Sequence, residues 1–363
     1  MNQLLADSLT LLRKMVAQPS VSGCEGTVCS LILDAMKDWG IDCKRIENNI
    51  VARCDTFDAS LPTLALDAHI DTVPAAASYS RNPADPGDDA DRIWGLGSND
   101  DGGSVVAMIA VLRHFKSEKL PFNLVLTLCS DEEKLSAYEP AGARLLYREG
   151  GVMDEMDTRW VIIGEPTGMK AASSERGLLV LDGEATGKSG HAARDEGENA
   201  LYKALDDIQK LRSYDFSRIS PLMGKVKLSV TQISAGTAHN VIPDRCRFVV
   251  DIRPTEVYTP AEILELLQAE VGSTLTARRL TNHSSATPAD SPLLKAAARC
   301  GLETFSSPTT SDWLAVRCDA LKMGPGDSAR SHHADEYILC SEIEHAVRTY
   351  IDFINNFYGN IVE

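Results

Sequence analysis

Apolar positions recur along this chain in two rhythms, and the rhythms alternate. Residues 3–17 place Leu5, Leu9, Leu12 and Val16 on one face of a helix. A second helical pattern runs from Glu25 to Trp39 and meets a stop signal at Gly40. Short runs either side of Asn48-Asn49 read as a hairpin. "TLALDAHIDTV" (63–73) reads as a buried strand, and a helix opening near residue 101 turns Val105, Met108, Ile109 and Leu112 inward. "NLVLTLCS" (123–130) and "WVIIGEPT" (160–167) are further apolar strands. Apolar strands alternating with helices predict an α/β fold, with a mostly parallel sheet covered on both faces.

The pattern changes between about 171 and 282. Strand "GLLVLDGEATG", helix 199–212, strands "KVKLSVTQIS" and "RCRFVVDIRP", helix 260–270 and strand "TLTARRL" follow in turn. This β-α-β-β-α-β order suits a compact sheet with two helices on one face. The Ser/Thr/Pro-rich tract 281–292 reads as a linker. A strand from Asp319 and a closing amphipathic helix, 341–357, complete the chain. The expected organisation is a discontinuous domain of residues 1–170 and 283–363 around an inserted domain of residues 171–282.

The predicted strands end in acids. In such sheets, ligands sit just beyond the carboxyl ends of the strands. His69-Ile70-Asp71, Asp131-Glu132-Glu133 and Glu165 occupy three such ends and are expected to converge. Residues 69 and 71 of an extended strand face the same side. Asp71 can then accept from one ring nitrogen of His69 while the other binds a metal. Asp100 opens a helix after the Gly-rich "GLGSNDDGGS", where a carboxylate serves either as N-cap or as ligand; Asp101 suits the cap. "SHHADE" (331–336) offers further histidine beside acids.

Carboxylates with imidazoles, and no cysteine among them, suit Zn, Mn or Co. Two ions roughly 3.5–4 Å apart need a carboxylate between them and lower the pKa of bound water to about 7. A carboxylate that is not a ligand is then needed to take that water's proton. Side chains of neighbouring residues point in different directions. One of Glu132 and Glu133 therefore faces the ions and the other the water.

Bulk properties narrow the rest. The chain has 363 residues and a formal charge of −16, which leaves no basic excess for a nucleic-acid partner. No apolar run of about 18 residues is present, so no membrane span is expected. The amphipathic, early-acidic N-terminus is not expected to be a secretory signal. Nine cysteines without a Cys-x-x-Cys pair are expected to be free thiols in a reducing cytoplasm.

"HIDTVP", "GLGSNDDGG", "SDEEK", "GEPT", "GKSGHAA" and "SHHADEY", in that order, resemble the co-catalytic metallo-aminoacylases and peptidases, the family of acetylornithine deacetylase, succinyl-diaminopimelate desuccinylase and carboxypeptidase G. The resemblance spans nearly the whole chain. It implies two divalent metal ions, zinc in the family pattern, with cobalt or manganese as substitutes. It makes His69, Asp100, Glu133, Glu165 and His332 the ligands, Asp100 bridging and His333 a neighbour. It makes Asp71 the orienting partner, Glu132 the general base and His191 an oxyanion donor reaching from a partner subunit's lid. Asn240 and Arg253 match substrate-binding positions, Arg253 suiting a carboxylate by bidentate pairing. The 171–282 insert becomes a lid and dimerisation domain, and the chain a homodimer.

Relatives often carry a basic residue where this chain has Leu96 and Lys where it has Gly102, departures that weaken transfer of the exact substrate. Glu165, rather than Asp, leans towards the deacetylases and desuccinylases. The implied activity is removal of an acetyl or succinyl group from an N-acyl amino acid, ornithine or citrulline in arginine biosynthesis. The alternatives are a diaminopimelate desuccinylase or a dipeptidase or aminopeptidase of the same family. A metal-stabilised binding protein is disfavoured because Glu132 is present.

Overall fold

A strand buried on both faces has no polar side to show water, so its neighbours must cover it. The computed structural model describes residues 1–134, 142–194 and 196–362, the side chains of 358–362 excepted. In it, strands Asn123–Cys129 and Thr63–His69 are buried at every position. They pair in parallel, and Thr63–His69 also pairs in parallel with Thr158–Ile163, which in turn pairs with Asp319–Lys322. The hairpin Asp42–Ile46 and Asn49–Arg53 extends this core antiparallel beside Asn123–Cys129. The α/β class with a mostly parallel central sheet is the fold the apolar strands predict.

Helices cover the sheet. Gly103–Phe115 is buried at every residue from Gly103 to Leu112, as an apolar helix in a large core must be. With Asn2–Val16, Gly26–Asp38 and Cys340–Val362 it fills one side of the sheet. Leu146, Tyr147, Met153 and Trp313 fill the other. Leu66 is fully buried in the core between the sheet and these helices, where truncation to Ala costs about 2–5 kcal/mol.

The chain divides into two compact units: Met1–Ser173, Ala286–Phe305 and Ser311–Glu363 form one, Ser174–Ser285 and Ser306–Thr310 the other. The second is a four-stranded antiparallel sheet of Leu179–Thr186, Lys227–Ala235, Arg245–Arg253 and Thr274–Ala277. Helices Ala200–Ser213 and Pro260–Glu270 pack on it around Phe248 and Leu267.

Several boundaries differ from the sequence reading. The strands stop at His69 and Ile163, so Asp71 and Glu165 lie on loops beyond them. The supposed linker 281–292 contains the short strand Ser285–Ala286, and Ser291 caps a helix, Pro292–Arg299. Ser followed by Pro reads as loop, yet it is also how a helix begins. Helices Gly142–Tyr147 and Val152–Glu155 and strand Thr304–Ser307 are too short for periodicity to reveal.

Candidate metal centre

The first unit gathers its acids at the carboxyl ends of the parallel strands. His69 ends its strand with the ring buried. Its Nδ1 lies 3.0 Å from the backbone oxygen of Asp71 and 3.5 Å from Asp71 Oδ1, and its Nε2 lies 3.1 Å from Asp100 Oδ1. The backbone oxygen of Asp71 can only accept, so Nδ1 donates and Nε2 is the atom offered to an ion. Burial alone would depress this imidazole's pKa; the hydrogen bonds to Asp100 and Asp71 outweigh it and hold it well above the usual value.

Asp100 turns its other oxygen, Oδ2, to His332 Nε2 at 3.8 Å. That same nitrogen is 2.9 Å from Glu133 Oε1. One carboxylate thus faces two imidazoles, one oxygen to each, and ligand atoms of His69, Asp100 and Glu133 lie within 4.8 Å of one another. Glu165 stands on the loop after Thr158–Ile163; burial pushes its carboxyl up to about 8 against the opposing charge of Lys322, with Asp100 adding to the rise. His332 is raised to about 9, first by its bond to Glu133. Oxygen and imidazole donors around a two-faced carboxylate are a donor set that fits a pair of divalent ions.

Glu132 stays outside that trio. Burial raises its pKa well above the carboxylate range; His69 opposes this, and Glu165 and Glu133 add to it. A carboxylate in that range can hold a proton in transit. Its backbone is fixed by Asp71, whose Oδ1 accepts from Glu132 N at 3.1 Å and Oδ2 from Glu133 N at 3.0 Å. Ser22 Oγ donates to Asp71 Oδ2 at 2.7 Å.

Asp101 is not a helix cap: the helix begins at Gly103, with Gly102 at the cap position and no side-chain cap bond. Asp101 is buried, and among the described residues its carboxylate oxygens make no hydrogen bond of ordinary geometry. Periodicity marks where helix begins only to within a residue or two, and here the turn Ser98–Gly102 intervenes.

Other residues at the site escaped sequence reading. Glu336 is buried and its Oε1 accepts from the backbones of Asn99 at 2.9 Å and Asp100 at 3.0 Å, fixing the Asp100 backbone. Its place in "SHHADEY" was the available signal. Below His69, Asp67 Oδ1 accepts from Thr127 Oγ1, Cys129 Sγ and Tyr147 Oη. Gly324 permits a close approach: a Cβ there would lie 2.5 Å from the backbone oxygen of Glu165 and 2.5 Å from Ser104 Oγ.

The remaining predicted residues belong to the second unit. His191 is exposed, and its Nδ1 accepts from Ala193 N at 3.1 Å. It lies in register opposite Val241, and the Asn240 backbone oxygen accepts from Ala192 N at 3.0 Å, so His191 and Asn240 are neighbours. Arg253 forks onto Asp251 at 2.8 and 3.1 Å and donates to Thr310 Oγ1 at 3.0 Å. Its guanidinium is therefore partly engaged by the protein itself.

The sequence pattern of peptidase family M20/M25/M40 matches residues 65–356. The chain belongs to this family and is a metal-dependent hydrolase acting on amide bonds. It is 29% identical to a succinyl-diaminopimelate desuccinylase of Cereibacter sphaeroides, over 97% of this chain and 99% of that protein. It is 26% identical to an acetylornithine deacetylase of Edwardsiella ictaluri, over 93% of this chain and 94% of that one. The fold is similar to that of a dinuclear metal-binding M20 peptidase from Bacillus subtilis, with a TM-score of 0.68 and 18% identity, covering 100% of this chain and 99% of the other. No helix of the described residues is long and apolar enough to cross a membrane.

Proposed function

From this family membership, we propose that the protein removes an acetyl or succinyl group from an N-acyl amino acid, with ornithine or citrulline as the amino acid. The observation that carries the reading is Asp100, set between His69 and His332, with Glu132 beside the ligand Glu133 and outside the cluster. The named desuccinylase and deacetylase relatives support the acyl amino acid class. A diaminopimelate acyl donor or a dipeptide is the alternative, favoured by the mixture of names among the relatives.

His69, Asp100, Glu133, Glu165 and His332 would hold two divalent ions, zinc, or cobalt or manganese in its place. Bound there, the ions would supply Lewis acidity to the amide carbonyl and acidity to water. Glu132 takes the proton of the attacking water and returns it to the leaving amine. Asp71 keeps the His69 ring in the tautomer that presents Nε2. His191 of a partner subunit would donate to the developing oxyanion, and Asn240 and Arg253 are substrate-binding positions, Arg253 suiting a carboxylate.

We also infer a homodimer formed through the second unit, whose helix Ala200–Ser213 exposes Tyr202 at 66% and Leu205 at 47%. Sedimentation of a Tyr202→Ser, Leu205→Ser variant as monomer, with the parent as dimer, supports this; two monomers or two dimers oppose it. The nine free cysteines suit the reducing cytoplasm.

The deciding assay is release of free amine from N-acetyl and N-succinyl forms of ornithine, citrulline and diaminopimelate, and from dipeptides, with and without chelator. Chelator-sensitive turnover of an ornithine or citrulline derivative supports the reading. Turnover of dipeptides alone moves the protein to the peptidase alternative.

A further inference from the structure

Four successive backbone N–H groups in the turn that carries Glu132 and Glu133 donate to side chains from elsewhere in the chain. Ser130 N donates to Asn49 Oδ1 at 2.9 Å, Asp131 N to Glu25 Oε1 at 3.3 Å, Glu132 N to Asp71 Oδ1 at 3.1 Å and Glu133 N to Asp71 Oδ2 at 3.0 Å. Asp131 adopts φ 62, a left-handed conformation that a side chain disfavours unless its surroundings impose it. Three acceptors from three segments impose it here.

Asp71 is already placed in the site; Glu25 is not. Glu25 is 1% exposed. It stands at the start of helix Gly26–Asp38 but makes no cap bond to it. A buried carboxylate is costly unless its oxygens are hydrogen-bonded, and Glu25 has both occupied. Oε1 accepts from Gly23 N at 2.6 Å and from Asp131 N, and Oε2 accepts from Asn48 Nδ2 at 2.9 Å. Gly23 adjoins Ser22, whose hydroxyl donates to Asp71. One carboxylate thus ties the turn 22–25, which reaches Asp71, to the turn 130–133, which bears the base and a ligand.

We propose that Glu25 is a positioning residue for the hydrolysis, setting the reach of Glu133 to its ion and of Glu132 to the water; this rests on the roles proposed above for those two glutamates. Both oxygens of Glu25 are engaged by Gly23, Asp131 and Asn48. What it supplies is an oxygen acceptor for the Asp131 amide. Glutamine keeps one such oxygen in the same shape, whereas methionine fills the same space without one.

The test uses the full chain and Co(II) as the probe, read by visible absorbance. The unsubstituted protein is expected to take up two ions. Glu25→Met is expected to weaken the ion held by Glu133 and His332 by about 10–100-fold, the range found when groups behind metal ligands are removed, and to leave the other ion's affinity unchanged. Glu25→Gln is expected to stay within about threefold of the parent. Equal behaviour of the two variants, or equal loss of both ions, overturns the proposal. Should Glu25→Met not fold, hydrogen exchange on the unsubstituted, ion-free protein decides: a slowly exchanging Asp131 amide supports the brace, and a fast one overturns it. Neither readout involves substrate, so failure of the acyl amino acid reading would be seen separately in the amine-release assay.

Discussion

Asp71 Oδ1 accepts the backbone N–H of Glu132 at 3.1 Å, so the residue that orients the first imidazole also holds the backbone of the proposed base. The same carboxylate faces His69 Nδ1 at 3.5 Å. Ligand orientation and base position therefore share one support. Asp71→Ala takes the acceptor from two backbone amides and the carboxylate from beside the His69 N–H, which keeps its bond to the residue 71 backbone oxygen, and a loss of turnover of about 10–100-fold is expected. Steady-state kinetics beside metal analysis checks this; unchanged kcat would separate Asp71 from the chemistry.

Loading the site should release protons. In the ion-free protein His332 titrates at about 9 and Glu165 at about 8, so at pH 7 both carry a proton. Ligands must be deprotonated to bind an ion. Affinity is thus expected to fall as pH drops through 9 and then 8, and loading at pH 7 to acidify a weak buffer. Titration with zinc against a pH indicator reads the release, and no release would contradict the assignment of these two residues as ligands.

Gly324→Ala should disturb the Glu165 side of the centre before it disturbs the fold. The added methyl would sit 2.5 Å from the backbone oxygen of Glu165 and 2.5 Å from Ser104 Oγ, and backbone must move. Weaker binding of one ion is expected, with a loss of stability of about 1–3 kcal/mol from overpacking. Metal titration and thermal unfolding measure the two effects; intact affinity would show that the Glu165 loop tolerates the shift.

Thiol reactivity should follow burial. Cys54 is buried and its pKa is pushed up to about 12 by burial, with Asp55 adding to the rise, whereas Cys24 is exposed. Alkylation of the native protein is expected to modify Cys24 first and spare Cys54 and the buried Cys129. Peptide mapping after brief iodoacetamide treatment reads the order.

The fold class was legible because strands such as Thr63–His69 and Asn123–Cys129 are apolar throughout, a pattern that a sheet covered on both faces requires. The acids at the strand ends were legible for the same reason: an apolar run broken by "DEE" has few structural uses. Which of Glu132 and Glu133 joins the cluster was not legible from the strand pattern; only the family resemblance made Glu133 the ligand. That depends on a turn whose shape is set by Glu25, Asn49 and Asp71, distant in sequence and tied to it by side-chain acceptors. Asp101 misled because a helix start looks alike whether the acid caps it or lies buried one turn earlier. Glu336 was passed over because it holds backbone amides, a role with no sequence rhythm.

The most direct test of the account is Glu132→Gln, assayed for turnover of the preferred acyl amino acid and for bound metal in the same preparation. Glu132 is assigned to the proton and Glu133 to the ion, so two ions should remain while kcat falls by about 10²–10⁴-fold. Loss of an ion, or turnover that survives the substitution, would contradict that division of labour.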